Sequence, residues 1–118
     1  MLNGIIGKKT VYIVTGYTDM RKGIDGLAEI VQGKLSLDPY SKALFLFCGK
    51  NPRKLKGLLW EGDGFLLLSK RLENGKYRWP RNEYEAMELS EQQLRWLLEG
   101  LEIEQEKAIK PGKHGALY

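Results

Sequence analysis

Residues 43–79 read ALFLFCGKNPRKLKGLLWEGDGFLLLSKRLENGKYRW, and the spacing of apolar and turn-forming residues in this stretch decides the fold. Ala43 to Cys48 is an unbroken apolar run of strand length, which predicts a central strand covered on both faces. Gly49 to Pro52 supplies a turn, Leu55 to Trp60 a second strand, Gly62-Asp63-Gly64 another turn, and Phe65 to Leu72 a third strand. Asn74-Gly75 is the strongest hairpin signal in the chain, because a type I′ turn needs positive φ at both central residues and these two tolerate it. Tyr77 to Trp79 is therefore expected to pair back on the strand that ends at Leu72.

Upstream, Thr10 to Val14 is rich in β-branched and aromatic residues and reads as a further strand. A helix should follow, capped by Thr18 or Asp19 and stopped by Gly33, with Met20, Ile24, Leu27, Ala28 and Val31 on one face. Gly23 and Gly26 lie beside that stripe and suggest the close passage of another backbone. Asp38-Pro39 then breaks the chain before the central strand. Downstream, Ala86 to Leu89 suits a short edge strand. Ser90 and Gln93 form a capping-box pattern that starts a helix carrying Leu94, Leu97, Leu98 and Leu101, with Gly100 at its end. The expected class is α+β: an antiparallel meander sheet of about five strands, one helix in the N-terminal half and one C-terminal helix, one against each sheet face. Residues 1–106 read as a single domain. Residues 107–118, which include Pro111, Gly112 and Gly115, read as a flexible tail.

Composition narrows the function classes. At 118 residues the chain can build one core but not two. Cys48 is the sole cysteine, so no intramolecular disulfide can form and a reducing cytoplasm is expected. Ala43 to Cys48, the longest apolar run, falls far short of the roughly 20 residues of a bilayer span, which argues against a membrane role. The net charge is only +4, but it is unevenly spread. Lys42 to Arg81 holds ten basic residues against three acids, whereas in Asn82 to Glu106 eight glutamates face only Arg95. Such a layout suits a protein that meets a polyanion on one side, although a merely solvated surface has the same composition.

Three basic groups are candidates for contact with nucleic acid. Lys50, Arg53, Lys54 and Lys56 are four cations in seven residues around a turn, and clustered cations are what phosphate neutralisation requires; lysine-rich edges also protect sheets from pairing with other chains. Lys70, Arg71, Lys76 and Arg78 flank the expected hairpin, where alternation puts Tyr77 and Trp79 on the opposite face, as core residues rather than base-stacking platforms. Arg21 and Lys22 stand in the expected first helical turn, where free amides bind phosphate, or where Arg21 simply pairs with Asp19 or Asp25. Asp19, Glu61 and Asp63 raise a metal-dependent nuclease reading, but capping and turn formation already explain Asp19 and Asp63. His114 has no companions at metal-ligand spacing. With no glycine-rich phosphate loop and no nucleophile–base set, neither catalysis nor a cofactor or metal is expected.

Taken in order, Thr18-Asp19-Met20-Arg21-Lys22-Gly23, Leu37-Asp38-Pro39-Tyr40, Leu44-Phe45-Leu46-Phe47, Leu55-Lys56, Leu58-Leu59-Trp60-Glu61-Gly62-Asp63-Gly64-Phe65, Lys70-Arg71-Leu72-Glu73 and Arg78-Trp79-Pro80 resemble one family. It is TnpB, the second open reading frame product of insertion sequence family 66, and the likeness runs from about Val11 to Gly100. Asp19, Met20, Arg21, Lys22, Gly23, Trp60, Gly62, Asp63, Gly64 and Trp79 are the motif residues that carry it. The resemblance implies an accessory protein encoded beside a separate DDE transposase and needed for transposition, with no established biochemical activity. Together with the clustered charge it leads to the expectation of a non-enzymatic protein that binds DNA or the transposase–DNA complex through a basic surface. Where relatives often carry a run of arginines, this chain has Gly49-Lys50-Asn51-Pro52-Arg53-Lys54, which keeps the charge but loses bidentate geometry. The alternative is a module that docks the transposase through the acidic second helix and its leucines without touching DNA.

Overall fold

The computed structural model describes residues 9–82 and 84–105. Its elements are β1 (Val11–Val14), α1 (Ile24–Glu29, continued by a π-helical turn over Ile30–Lys34), β2 (Leu44–Cys48), β3 (Lys54–Trp60), β4 (Phe65–Arg71), β5 (Ala86–Leu89) and α2 (Glu91–Leu98). The strands form one sheet in the order β4-β3-β2-β1-β5. The meander of β2, β3 and β4 is antiparallel, as their short connections require. β1 lies parallel to β2, Val11 facing Leu44, because the longer connection through α1 returns the chain in the same direction. β5 closes the other side of β1 antiparallel, Val14 facing Ala86 and Val11 facing Leu89. The α+β class stands, with a mostly antiparallel sheet and one parallel pair.

Ala43 to Cys48 is buried throughout, the covered central strand that its composition predicts. Its alternating side chains feed two cores. Leu44, Leu46 and Cys48 join Val11, Ile13, Leu55 and Leu59 beneath Leu94 and Leu97 of α2. Phe45 and Phe47 join Val14 and Leu58 beneath Leu27, Ile30 and Val31 of α1 and its π turn. One helix therefore covers each face. A side chain as fully buried as Leu97 contributes about 1.5–3 kcal/mol. Gly57, in the middle of β3, makes the α2 side possible: a Cβ there would come within 3.2 Å of Leu46 and 3.3 Å of Leu44. The capping box of α2 forms, with Ser90 accepting from the Gln93 amide and Gln93 accepting from the Ser90 amide.

Four local expectations are corrected. Asp19 does not cap a helix: it accepts from the Arg21 amide and side chain in a local turn, and α1 begins only after Gly23. Gly33 does not stop the helix but lies inside the π turn, where the Leu35 amide reaches back to Ile30, and the chain reverses at Ser36 with φ 54°. The expected close backbone is not found at Gly23 or Gly26: Gly23 faces open space, and the atoms nearest to Gly26 are those of the Lys22 side chain. The Asn74-Gly75 hairpin is absent, since Ser36 alone among the described non-glycine residues has positive φ and no strand covers Tyr77 to Trp79. That segment is an extended crossover instead. The Tyr77 amide donates to Pro52, the Trp79 indole to Val14, and Pro80 accepts from Gly16, which carries the chain from the β4 edge to the β5 edge. Tyr77 and Trp79 are buried and Lys76 and Arg78 exposed, so the alternation holds without a strand partner.

Among the described residues no helix is long and apolar enough to cross a membrane. The expected tail, 107–118, lies outside the described residues.

Candidate nucleic-acid interface

Strand direction decides where the cations go. The C-terminal ends of β1 and β2, the start of β3 and the end of β4 all meet at one end of the sheet. The loops and strand ends there carry Arg21, Lys22, Lys50, Arg53, Lys54, Lys56, Lys70 and Arg71. The crossover brings Lys76, Arg78 and Arg81 to the same end through its bonds to Pro52, Val14 and Gly16.

The sheet nevertheless divides these residues by face. Lys54 stands opposite Arg71, and Lys56 opposite Ser69, on the side that α1 covers. The Lys56 ammonium donates to the Lys22 carbonyl at 2.8 Å and so ties β3 to the loop before α1. Lys54, Lys56, Lys70 and Arg71 line an open groove of about 600 Å³ together with Met20, Ser69 and the acidic Glu73. Lys70 is opposite Leu55, so the strand register turns it toward the other face, although it still reaches the rim of that groove. Arg78 shares a separate pocket with Glu85, Glu102 and Glu104, where acids outnumber it.

Pairing divides them further. Among the described residues, ion pairs join Arg21 to Asp19 at 2.8 Å and Arg71 to Glu73 at 3.0 Å, both well exposed to solvent. The Arg21 guanidinium and amide hold the Asp19 carboxyl well below the usual carboxylate range. Arg53 donates to the Glu73 carbonyl, which orients the guanidinium while leaving its charge in place.

Two residues that sequence reasoning missed stand at the centre of this end. Arg81 donates to the carbonyls of Gly16 at 3.1 Å and Gly49 at 2.8 Å, bridging the ends of the parallel strands β1 and β2. Tyr17 is exposed beside it, with the Lys50 ammonium 6.0 Å and the Arg81 guanidinium 5.9 Å from its ring centre. Neither has a periodic signal: a lone tyrosine in a loop looks like any other, and the partners of Arg81 are more than thirty residues away.

The acidic residues do not converge. Asp19 lies at the basic end, whereas Glu61 and Asp63 form the β3–β4 turn at the opposite end, where Gly62 has φ 96° and the Glu61 amide donates to Gly64. Among the described residues no group of three or more His, Cys, Asp or Glu side chains could hold a metal ion. The motif residues are also divided, with 19–23 at the basic end and 60–64 at the other. At that second end Trp60 packs edge-on with Tyr40 and Phe65 at ring distances of 5.0 Å each.

Residues 9–108 match the family described as IS66 Orf2 like protein. Two proteins of Sinorhizobium fredii, both described as uncharacterized, are similar to the chain. The protein y4hO is 42% identical over 92 residues, which covers 78% of this chain and 80% of that one. The protein y4jC is 33% identical over 92 residues, covering 78% and 79%. No solved structure matches.

Proposed function

The chain belongs to the IS66 Orf2-like family, and from that premise we propose that this accessory protein of transposition binds DNA directly through the basic end of its sheet, alongside the element's transposase. The observation that carries the reading is the gathering of Lys22, Lys50, Arg53, Lys54, Lys56 and Arg81 around the ends of β1, β2 and β3. Phosphate binding needs cations held together on a rigid frame, and the backbone bonds made by Lys56, Arg53 and Arg81 supply that rigidity. Arg71 and Lys70 extend the surface along β4, whereas Arg78 faces glutamates and contributes least.

The docking alternative has lost part of its surface. Leu94 and Leu97 are buried in the monomer core and Leu98 packs against it, which leaves Leu101, 43% exposed, as the leucine of that set open to a partner.

Titration of labelled duplex DNA over a range of salt tests the reading. Affinity should fall steeply as salt rises, and replacing Lys50 and Lys54 by glutamine should reduce the slope of log K against log salt by about two. Binding that is indifferent to salt, or absent for duplex and single-stranded DNA alike, removes the model.

A further inference from the structure

Tyr17 is 57% exposed, in contrast to the buried aromatics of the two cores. Its ring is open but its backbone is fixed. On one side the Gly16 amide donates to Pro80, and Gly16 adopts φ 77° with the Tyr84 ring so close that a Cβ would approach it to 3.3 Å. On the other side Thr18 is buried, its amide donates to Cys48, and its hydroxyl lies 3.3 Å from the Tyr84 hydroxyl. An aromatic ring held out into solvent by a pinned loop is pre-organised, so a ligand stacking on it costs little ordering entropy.

The surroundings specify the ligand. The Lys50 ammonium and the Arg81 guanidinium both lie over the Tyr17 ring at about 6 Å from its centre, so positive charge stands beside the aromatic surface and can meet anions attached to whatever stacks there. Arg81 is fixed by the carbonyls of Gly16 and Gly49. A planar group with anions attached to it is what a nucleotide strand offers, a nucleobase with its neighbouring phosphates. In a duplex the faces of the bases are occupied by their neighbours, and only an unpaired strand offers one to a protruding ring.

We propose that Tyr17, Lys50 and Arg81 form a stacking site for an unpaired DNA strand, in which a base lies on the Tyr17 ring and its flanking phosphates meet Lys50 and Arg81. This rests on the basic-end reading above and names the form of DNA that the end takes.

The test uses three labelled strands of about 12 nucleotides at one salt concentration: oligothymidylate, an abasic deoxyribose-phosphate strand of equal charge, and oligouridylate; a duplex of the same length is the reference. The wild-type protein should bind oligothymidylate at least about fivefold more tightly than the abasic strand. Tyr17→Ala should bring the two to equal affinity, whereas Tyr17→Trp should keep the preference for bases. Thermal unfolding of each variant shows whether the exposed substitution leaves the fold intact. Equal binding of thymidylate and abasic strands by the wild-type protein, or a Tyr17→Ala variant that keeps the preference, overturns the stacking site while leaving the basic-end reading in place. Failure to bind any of the four overturns both. Tighter binding of oligouridylate than oligothymidylate overturns the assignment to DNA.

Discussion

The indole N–H of Trp79 donates to the carbonyl of Val14 at 2.8 Å, across 65 residues of sequence and inside the core. This bond fastens the crossover to the end of β1, the same end that carries the basic residues. Trp79→Phe keeps an aromatic ring but removes the donor and leaves space where the larger indole stood. It should destabilise the fold by about 1–3 kcal/mol, read as a lower urea midpoint with an unchanged m-value.

Tyr77, two residues earlier and also buried in the same core, should respond with the opposite sign. Its buried hydroxyl has no hydrogen-bond partner among the described residues, and burial pushes its phenol above the ordinary range. Tyr77→Phe deletes an unsatisfied polar group and keeps the ring. Stability should hold or rise by up to about 1 kcal/mol in the same urea assay; a loss on the scale of Trp79→Phe would reveal a partner for the hydroxyl.

Gly57 tests the packing beneath α2. The side chains of Leu44 and Leu46 occupy the space next to its α-carbon, in the middle of a sheet that pairs it with both Leu46 and Leu68. Gly57→Val favours strand conformation but overfills the core, and the second effect should dominate by about 1–3 kcal/mol. Thermal unfolding monitored by circular dichroism measures it, and a variant as stable as the parent would show that the core has slack.

Cys48 gives a pH dependence. Burial pushes its thiol up to about 11, with Arg81 pulling in the other direction. The native protein should therefore resist aromatic disulfide reagents at neutral pH and react once unfolded. Because the unfolded thiol ionises at about 8.5 while the folded thiol keeps its proton, the stability contributed by the neutral side chain is complete below that pH and declines as pH rises toward 11. Cys48→Ala lacks this decline, so its stability deficit relative to the parent should shrink between neutral and alkaline pH.

Local chemistry was legible and distant partnership was not. Ala43 to Cys48 and the Ser90/Gln93 box were readable because a strand buried on both faces and a reciprocal cap each leave their signature within a few residues. The alternation of Tyr77 and Trp79 was readable for the same reason, but it reports which side is buried, not which backbone pairs. Pro52 and Val14 took the roles assigned to a hairpin strand. Asp19 had two local uses for one carboxylate, and the Arg21 fork outcompeted the helix cap. The cationic turn was visible as composition. Its focus on Tyr17 was not, since that depends on Arg81 reaching across two strand ends from the far side of the crossover.

The position of β5 has a consequence for synthesis. β1 emerges from the ribosome early, yet the strand that covers its outer edge comes some seventy residues later, and Thr15 is bonded to Glu85 through both backbone and hydroxyl. A nascent or truncated product that stops before Ala86 exposes the β1 edge as a template for other chains. Shortened versions of this protein should therefore aggregate rather than persist as weakened monomers.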